Sequence, residues 1–141
     1  MIKSYVVDAS VAIKWYLPEI YCDYAIHLQN PDYHLHQPNF FLLEIASIIT
    51  KKLRRREIDL GEANAILRDI RQINFKWHED SHLLQNAIDI ANQTARSLYD
   101  CLYLSLAIKV QGQMVTADRK FYDALQPTVF VDKIVWIENA N

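Results

Sequence analysis

Five short segments of this 141-residue chain read as strands, and the stretches between them carry apolar residues at helical spacing. Tyr5-Val6-Val7 is β-branched and aromatic, the mark of a short buried strand, and it stops at Asp8. His34 to His36, Phe75 to Trp77, Met114 to Thr116 and Ile134 to Ile137 are the other four candidates. Ser10 is positioned to cap a short helix over Val11 to Leu17, which Pro18 terminates. Tyr21 to Gln29 reads as a second helix, stopped by Asn30-Pro31. Asn39 is expected to cap a long helix to about Arg56, with Phe41, Ile45, Ile48, Ile49 and Leu53 as its core face. A turn at Asp59-Leu60-Gly61 leads to a helix over Glu62 to Asn74, with Ala63, Ile66, Leu67, Ile70 and Ile73 inward. Helices over Leu83 to Thr94, Ser97 to Val110 and Arg119 to Leu125 complete the pattern, Gly112 ending the second of them. Strands alternating with helices imply an α/β fold, with a mostly parallel sheet of about five strands between helical layers.

Four carboxylates interrupt this pattern. Asp8 ends the first strand, Glu44 follows Phe40-Phe41-Leu42-Leu43, Asp100 stands between Leu98-Tyr99 and Cys101-Leu102, and Asp118 closes Val115-Thr116-Ala117. Each has a plain local explanation. Asp8 and Asp118 can cap the helices that follow, Glu44 can sit on an exposed helix face, and Ser97-Leu98-Tyr99-Asp100 fits a capping box. Their joint placement points further, because desolvating carboxylates is costly without compensating cations or donors. Few basic residues flank them, and Asp8 and Asp118 fall at strand carboxyl ends, where α/β sheets bind ligands. Mg²⁺ prefers hard oxygen ligands and binds through a few carboxylates plus substrate phosphate, so a metal-dependent phosphodiester nuclease is the leading expectation.

Composition narrows the alternatives. Hydrophobic residues make up 51% and charged residues 23%, which excludes a disordered chain. The formal net charge is −2, so any nucleic-acid contact must rest on a local basic patch and on metal ions. Lys51 and Arg55 follow Glu44 by seven and eleven positions on the same helix, a stripe roughly 10 and 16 Å along the axis, suited to flanking phosphates. Lys52, Arg54 and Arg56 are expected to face solvent or a partner. Cys22 and Cys101 match no metal or redox spacing, as expected of reduced thiols in a cytoplasm. The two most apolar segments are broken by Glu44 and Asp100, and no secretory leader or bilayer span is expected. His78-Glu79-Asp80-Ser81-His82 matches the H-E-x-x-H zinc pattern in letters, but a strand-to-helix junction there would destroy the one-face geometry that chemistry needs.

Val6-Val7-Asp8-Ala9-Ser10-Val11-Ala12, Leu43-Glu44-Ile45-Ala46, Tyr99-Asp100-Cys101-Leu102-Tyr103-Leu104 and Thr116-Ala117-Asp118-Arg119-Lys120-Phe121 together closely resemble PIN-domain proteins. Trp15-Tyr16-Leu17-Pro18-Glu19 is similar to the corresponding stretch of VapC-type toxins. The resemblance implies one PIN domain over residues 1–141, with a three-layer α/β/α fold. It implies a cytoplasmic ribonuclease using Mg²⁺ or Mn²⁺, neutralised by a cognate antitoxin and commonly a homodimer. The family's acidic quartet carries over onto Asp8, Glu44, Asp100 and Asp118, with Ser10 and Thr116 as supporting polar residues. The competing expectation is a non-catalytic module that binds nucleic acid or protein and keeps the acids for structure.

Overall fold

The computed structural model describes residues 2–141. Five strands, β1 (Lys3–Val7), β2 (Tyr33–Pro38), β3 (Lys76–His78), β4 (Gln113–Thr116) and β5 (Ile134–Trp136), form one sheet in the order β3-β2-β1-β4-β5. Every neighbouring pair is parallel; Val6 stands opposite His36 on one side and Met114 on the other. The α/β expectation therefore holds. β1 lies at the centre because Val6 and Val7 are wholly buried, as a strand covered on both faces requires. The chain first winds outward from β1 through β2 to β3, then crosses back to add β4 and β5. This reversal puts a switch point between β1 and β4, where a crevice opens beyond the strand ends.

Among the described residues seven α-helices connect the strands: α1 (Ala9–Ala12), α2 (Cys22–His27), α3 (Phe41–Arg54), α4 (Leu60–Ile70), α5 (Leu84–Thr94), α6 (Leu98–Lys109) and α7 (Arg119–Leu125). α6 is apolar around its whole circumference and buries every residue from Cys101 to Ala107, so it must be enclosed. It is packed on β1, β2 and β4, and covered by α5. α1, α3 and α4 form a second packed group, joined to β3 through Phe41, Phe75 and Trp77. Phe41, Ile45 and Ile49 are the buried stripe of α3, and Ile48 and Leu53 pack at its margin.

Several helix starts differ from expectation, each for a hydrogen-bonding reason. Asp8, not Ser10, caps α1: its Oδ1 accepts the Val11 N–H at 2.9 Å, while the Ser10 hydroxyl donates to the same oxygen at 2.8 Å. The helix then tightens into a 3₁₀ turn over Ile13–Trp15. Asn39 does not cap α3; the free Phe40 N–H is accepted by Asp80 Oδ1 from across the sheet edge at 3.2 Å. Asp59 begins α4 at once through a reciprocal capping box with Glu62, so the expected turn at Asp59-Leu60-Gly61 is already its first residues. The H-E-x-x-H letters span the end of β3, an extended Glu79 and a 3₁₀ turn over Asp80–His82. No continuous helix carries them, and the zinc-protease geometry is absent.

Gly112 joins α6 to β4 where the chain passes the Ser4 carbonyl, and a Cβ there would lie 2.9 Å from the Ser4 carbonyl carbon and closer still to its oxygen. Both partners are backbone, so neither can rotate away. Gly112→Ala should lower stability by about 2 kcal/mol or more, read as a fall in the urea midpoint at unchanged slope.

Candidate metal and nucleic-acid site

Asp8, Glu44 and Asp100 line one cleft of about 480 Å³, together with Ser10, Lys51 and Tyr103. Asp8 arrives from the central strand, Glu44 from the first turn of α3, and Asp100 from the first turn of α6. Asp118 caps α7 through the Phe121 N–H at 3.2 Å and lines an adjoining cavity of about 430 Å³. The two hollows share Ser10, Ile48 and Lys51 as a common wall. The acids thus occupy neighbouring compartments of one crevice at the carboxyl end of β1 and β4.

Asp8 is the electrostatic centre of the group. It is 8% exposed, and both of its hydrogen bonds fall on Oδ1. Burial pushes its carboxyl up to about 7; the Ser10 and Val11 donors partly offset this, and the nearby charges of Asp100 and Glu44 add to it. Burial likewise raises Glu44, partly countered by the Tyr103 hydroxyl and by Lys51, with Asp100 adding to the rise. Asp100 is raised by burial too, with Ser97 and Arg96 opposing and Asp118 reinforcing. Asp8, Glu44 and Asp100 make no ion pair with any described Lys, Arg or His. Asp118 has one distant partner, Arg96, at 3.9 Å.

Among the described residues, no three His, Cys, Asp or Glu side chains stand close enough together to chelate one ion. Local hydrogen bonds hold them apart: Asp8 to its own helix start, Asp118 to Phe121, and Glu44 to Tyr103. Mutual repulsion between carboxylates favours the same separation. The donor set itself is all hard oxygen, which suits Mg²⁺ or Mn²⁺ better than zinc.

Two contributors, Tyr103 and Arg96, were not singled out from sequence, and a third, Lys52, was expected to face solvent or a partner. Tyr103, 1% exposed, donates its hydroxyl to Glu44 Oε1 at 2.5 Å. A tyrosine inside an otherwise apolar helix, three residues after Asp100, was the available signal, since a buried phenol needs a partner. Arg96 reaches Asp118 and lies over the Phe121 ring at 5.7 Å. Lys52, expected to point away, lines the cavity beside Asp118 with Lys14 and Glu19. Thr116 is fully buried, and its Oγ1 accepts the Asp118 N–H at 3.0 Å, fixing the turn out of β4. Lys51 lines both hollows and Arg55 only the second. His36 and His78 bond ring to ring at 2.9 Å on the far strands, apart from the acids.

The parallel sheet, its switch point and the acids gathered there define a PIN-type arrangement, and the PIN domain family model matches residues 5–125. This chain belongs to the PIN-domain family. Ribonuclease VapC3 of Pyrobaculum aerophilum is 29% identical over 117 residues, which cover 82% of this chain and 89% of that relative. The crystal structure of PAE2754 from the same organism superposes with a TM-score of 0.70 at 23% identity, over 98% of this chain and 86% of the other. VapBC2 from Rickettsia felis, solved on a DNA fragment from its promoter, matches with a TM-score of 0.61 at 14% identity over 94% and 98%. A toxin-antitoxin complex from Klebsiella pneumoniae matches at 0.59 and 13% over 92% and 94%. These structural likenesses establish the fold.

The raised Asp8 carboxyl has a consequence for stability. Its ordinary value is 3.8 and its folded value about 7, so between those limits the folded protein holds a proton that the unfolded chain has released. The unfolded state then binds fewer protons, and stability falls as pH rises through that window. Asp8→Asn keeps the cap but cannot ionise. In metal-free buffer it should match the parent near pH 4 and exceed it above pH 7, by up to about 2–4 kcal/mol. Denaturant midpoints across pH measure this; a variant that is less stable at every pH would mark Asp8 as a purely structural cap.

Proposed function

We propose that this chain, read as a single PIN domain over residues 1–141, is a metal-dependent endoribonuclease and the toxin of a toxin-antitoxin pair. It acts in the cytoplasm on RNA, is neutralised by a cognate antitoxin protein, and works as a homodimer. The observation that carries the reading is the cleft where Asp8, Glu44 and Asp100 stand partly or wholly out of water with no ion pair to any described Lys, Arg or His. Family membership and the name of the Pyrobaculum aerophilum relative support it.

In this reading Asp8, Glu44, Asp100 and Asp118 are the catalytic acids and would hold Mg²⁺, or Mn²⁺ in its place. Such an ion, when bound, lowers the pKa of a water and offsets charge developing on the phosphate. The protein's own share is orientation. Ser10 and the Val11 N–H fix Asp8 Oδ1, which leaves Oδ2 without a hydrogen bond among the described residues. Tyr103 holds one Glu44 oxygen, and Thr116 sets the turn that presents Asp118. Exposed Lys51 and Arg55 grip phosphates beside the reacting one. The alternative, a non-catalytic binding module with a structural acidic cluster, draws on the spacing of the acids beyond chelating distance.

An RNA cleavage assay with added Mg²⁺ or Mn²⁺ separates the two readings. Asp8→Asn, Glu44→Gln and Asp100→Asn should each lower the rate by about 100-fold or more, while remaining folded. No metal-dependent cleavage by the unaltered protein would favour the alternative. Replacing Lys51 and Arg55 together with Ala should instead weaken RNA binding and flatten its salt dependence, with little change in the rate at saturation. Wild-type affinity and salt slope in that double variant would make the stripe a solvated helix end.

A further inference from the structure

The cavity beside the carboxylate cleft has the opposite sign to it. Four cations, Lys14, Lys51, Lys52 and Arg55, line it against two carboxylates, Glu19 and Asp118. Lys14 is 7% exposed, a rare position for a lysine unless it is paired. Its partner is Glu19, whose Oε1 takes Lys14 Nζ at 3.1 Å while its Oε2 takes Lys52 Nζ at 3.0 Å. One carboxylate therefore bridges two ammonium groups, one on each oxygen. Lys51 and Arg55 enter no ion pair among the described residues. Stability alone is a poor reason for this cluster, because a buried ion pair can often be replaced by apolar residues at no loss.

We propose that this cavity is a phosphate subsite for the RNA strand, and that Glu19 is a resident anion occupying part of it. The inference rests on the ribonuclease reading given above. A strand with one phosphate at the carboxylates passes directly into the second hollow, since Ser10, Ile48 and Lys51 belong to both. There Lys51 and Arg55 receive the next stretch of backbone. Lys52, which also meets Glu57 Oε2 at 3.4 Å, turns from both carboxylates to the incoming phosphate, while Lys14 retains Glu19 and keeps it in place. Glu19 thereby sets the strength of the grip: it holds the lysines ordered when RNA is absent and competes with phosphate when RNA arrives.

That competition gives the two kinds of variant opposite signs. Binding of a short mixed-sequence single-stranded RNA is measured in EDTA, where cleavage does not occur, by fluorescence anisotropy over a range of salt. Lys52→Gln should weaken binding about tenfold, the scale of one charge-assisted hydrogen bond, and reduce the salt slope by about 0.7. Glu19→Gln should tighten RNA binding, whereas Asp132→Asn, at the opposite end of the sheet beside Gln113, should leave it unchanged. Unaltered RNA affinity in both Lys52→Gln and Glu19→Gln overturns the proposal, as does a gain in Asp132→Asn equal to that in Glu19→Gln. Tightening by Glu19→Gln towards poly-glutamate but not RNA overturns it in favour of a protein ligand. If Glu19→Gln does not fold, Lys52→Gln alone decides through its affinity and salt slope. RNA that binds with these signs but is never cut with Mg²⁺ or Mn²⁺ leaves the subsite standing and removes the nuclease reading; cutting with unaltered binding does the reverse.

Discussion

A carboxylate buried at the end of the central strand is the constraint around which this protein is arranged. β1 can be central only if covered on both faces, and that enclosure takes Asp8 out of water with it. The surroundings answer with two donors on Oδ1 and no cation. Glu44 and Asp100 then add like charge from two different helices. Each of those helices has its own reason to be there: α6 because it is apolar on every side, α3 because its buried stripe packs against α1 and β3 aromatics. Core packing thus brings acids from three elements to one cleft, and local hydrogen bonds fix each of them there.

α3 links the two halves of the crevice. It carries Glu44 in its first turn and Lys51, Lys52 and Arg54 in its last, an order that suits the positive and negative ends of a helix dipole. The same helix therefore presents an acidic end to one hollow and a basic flank to the next, and Lys51 stands in both. A chain with net charge −2 obtains a locally basic flank by segregating charge along one element. The Lys14–Glu19–Lys52 bridge extends that segregation to the loop after α1.

Much of this was legible in the order of the residues. Strand positions, the α/β class and the four acids follow from periodicity and from charges set among apolar neighbours, because both signals are local and strong. Helix starts were less legible. Ser10 and Asn39 look like caps by type, but Asp8 and the distant Asp80 provide the acceptors. A cap is decided by which oxygen reaches a free N–H, and Asp80 reaches Phe40 only after the sheet has formed.

The sequence by itself determined the alternation of strands and helices and which carboxylates would be costly to bury, since those depend on residue type and near neighbours. Only the tertiary structure decided how those groups are shared out. It put three acids in one cleft and Asp118 in the next, brought Tyr103 to Glu44 across 59 positions, and turned Lys52 towards Glu19. Such distinctions turn on side chains far apart in the chain meeting at a switch point, and no local pattern records which of two adjoining hollows a side chain will face.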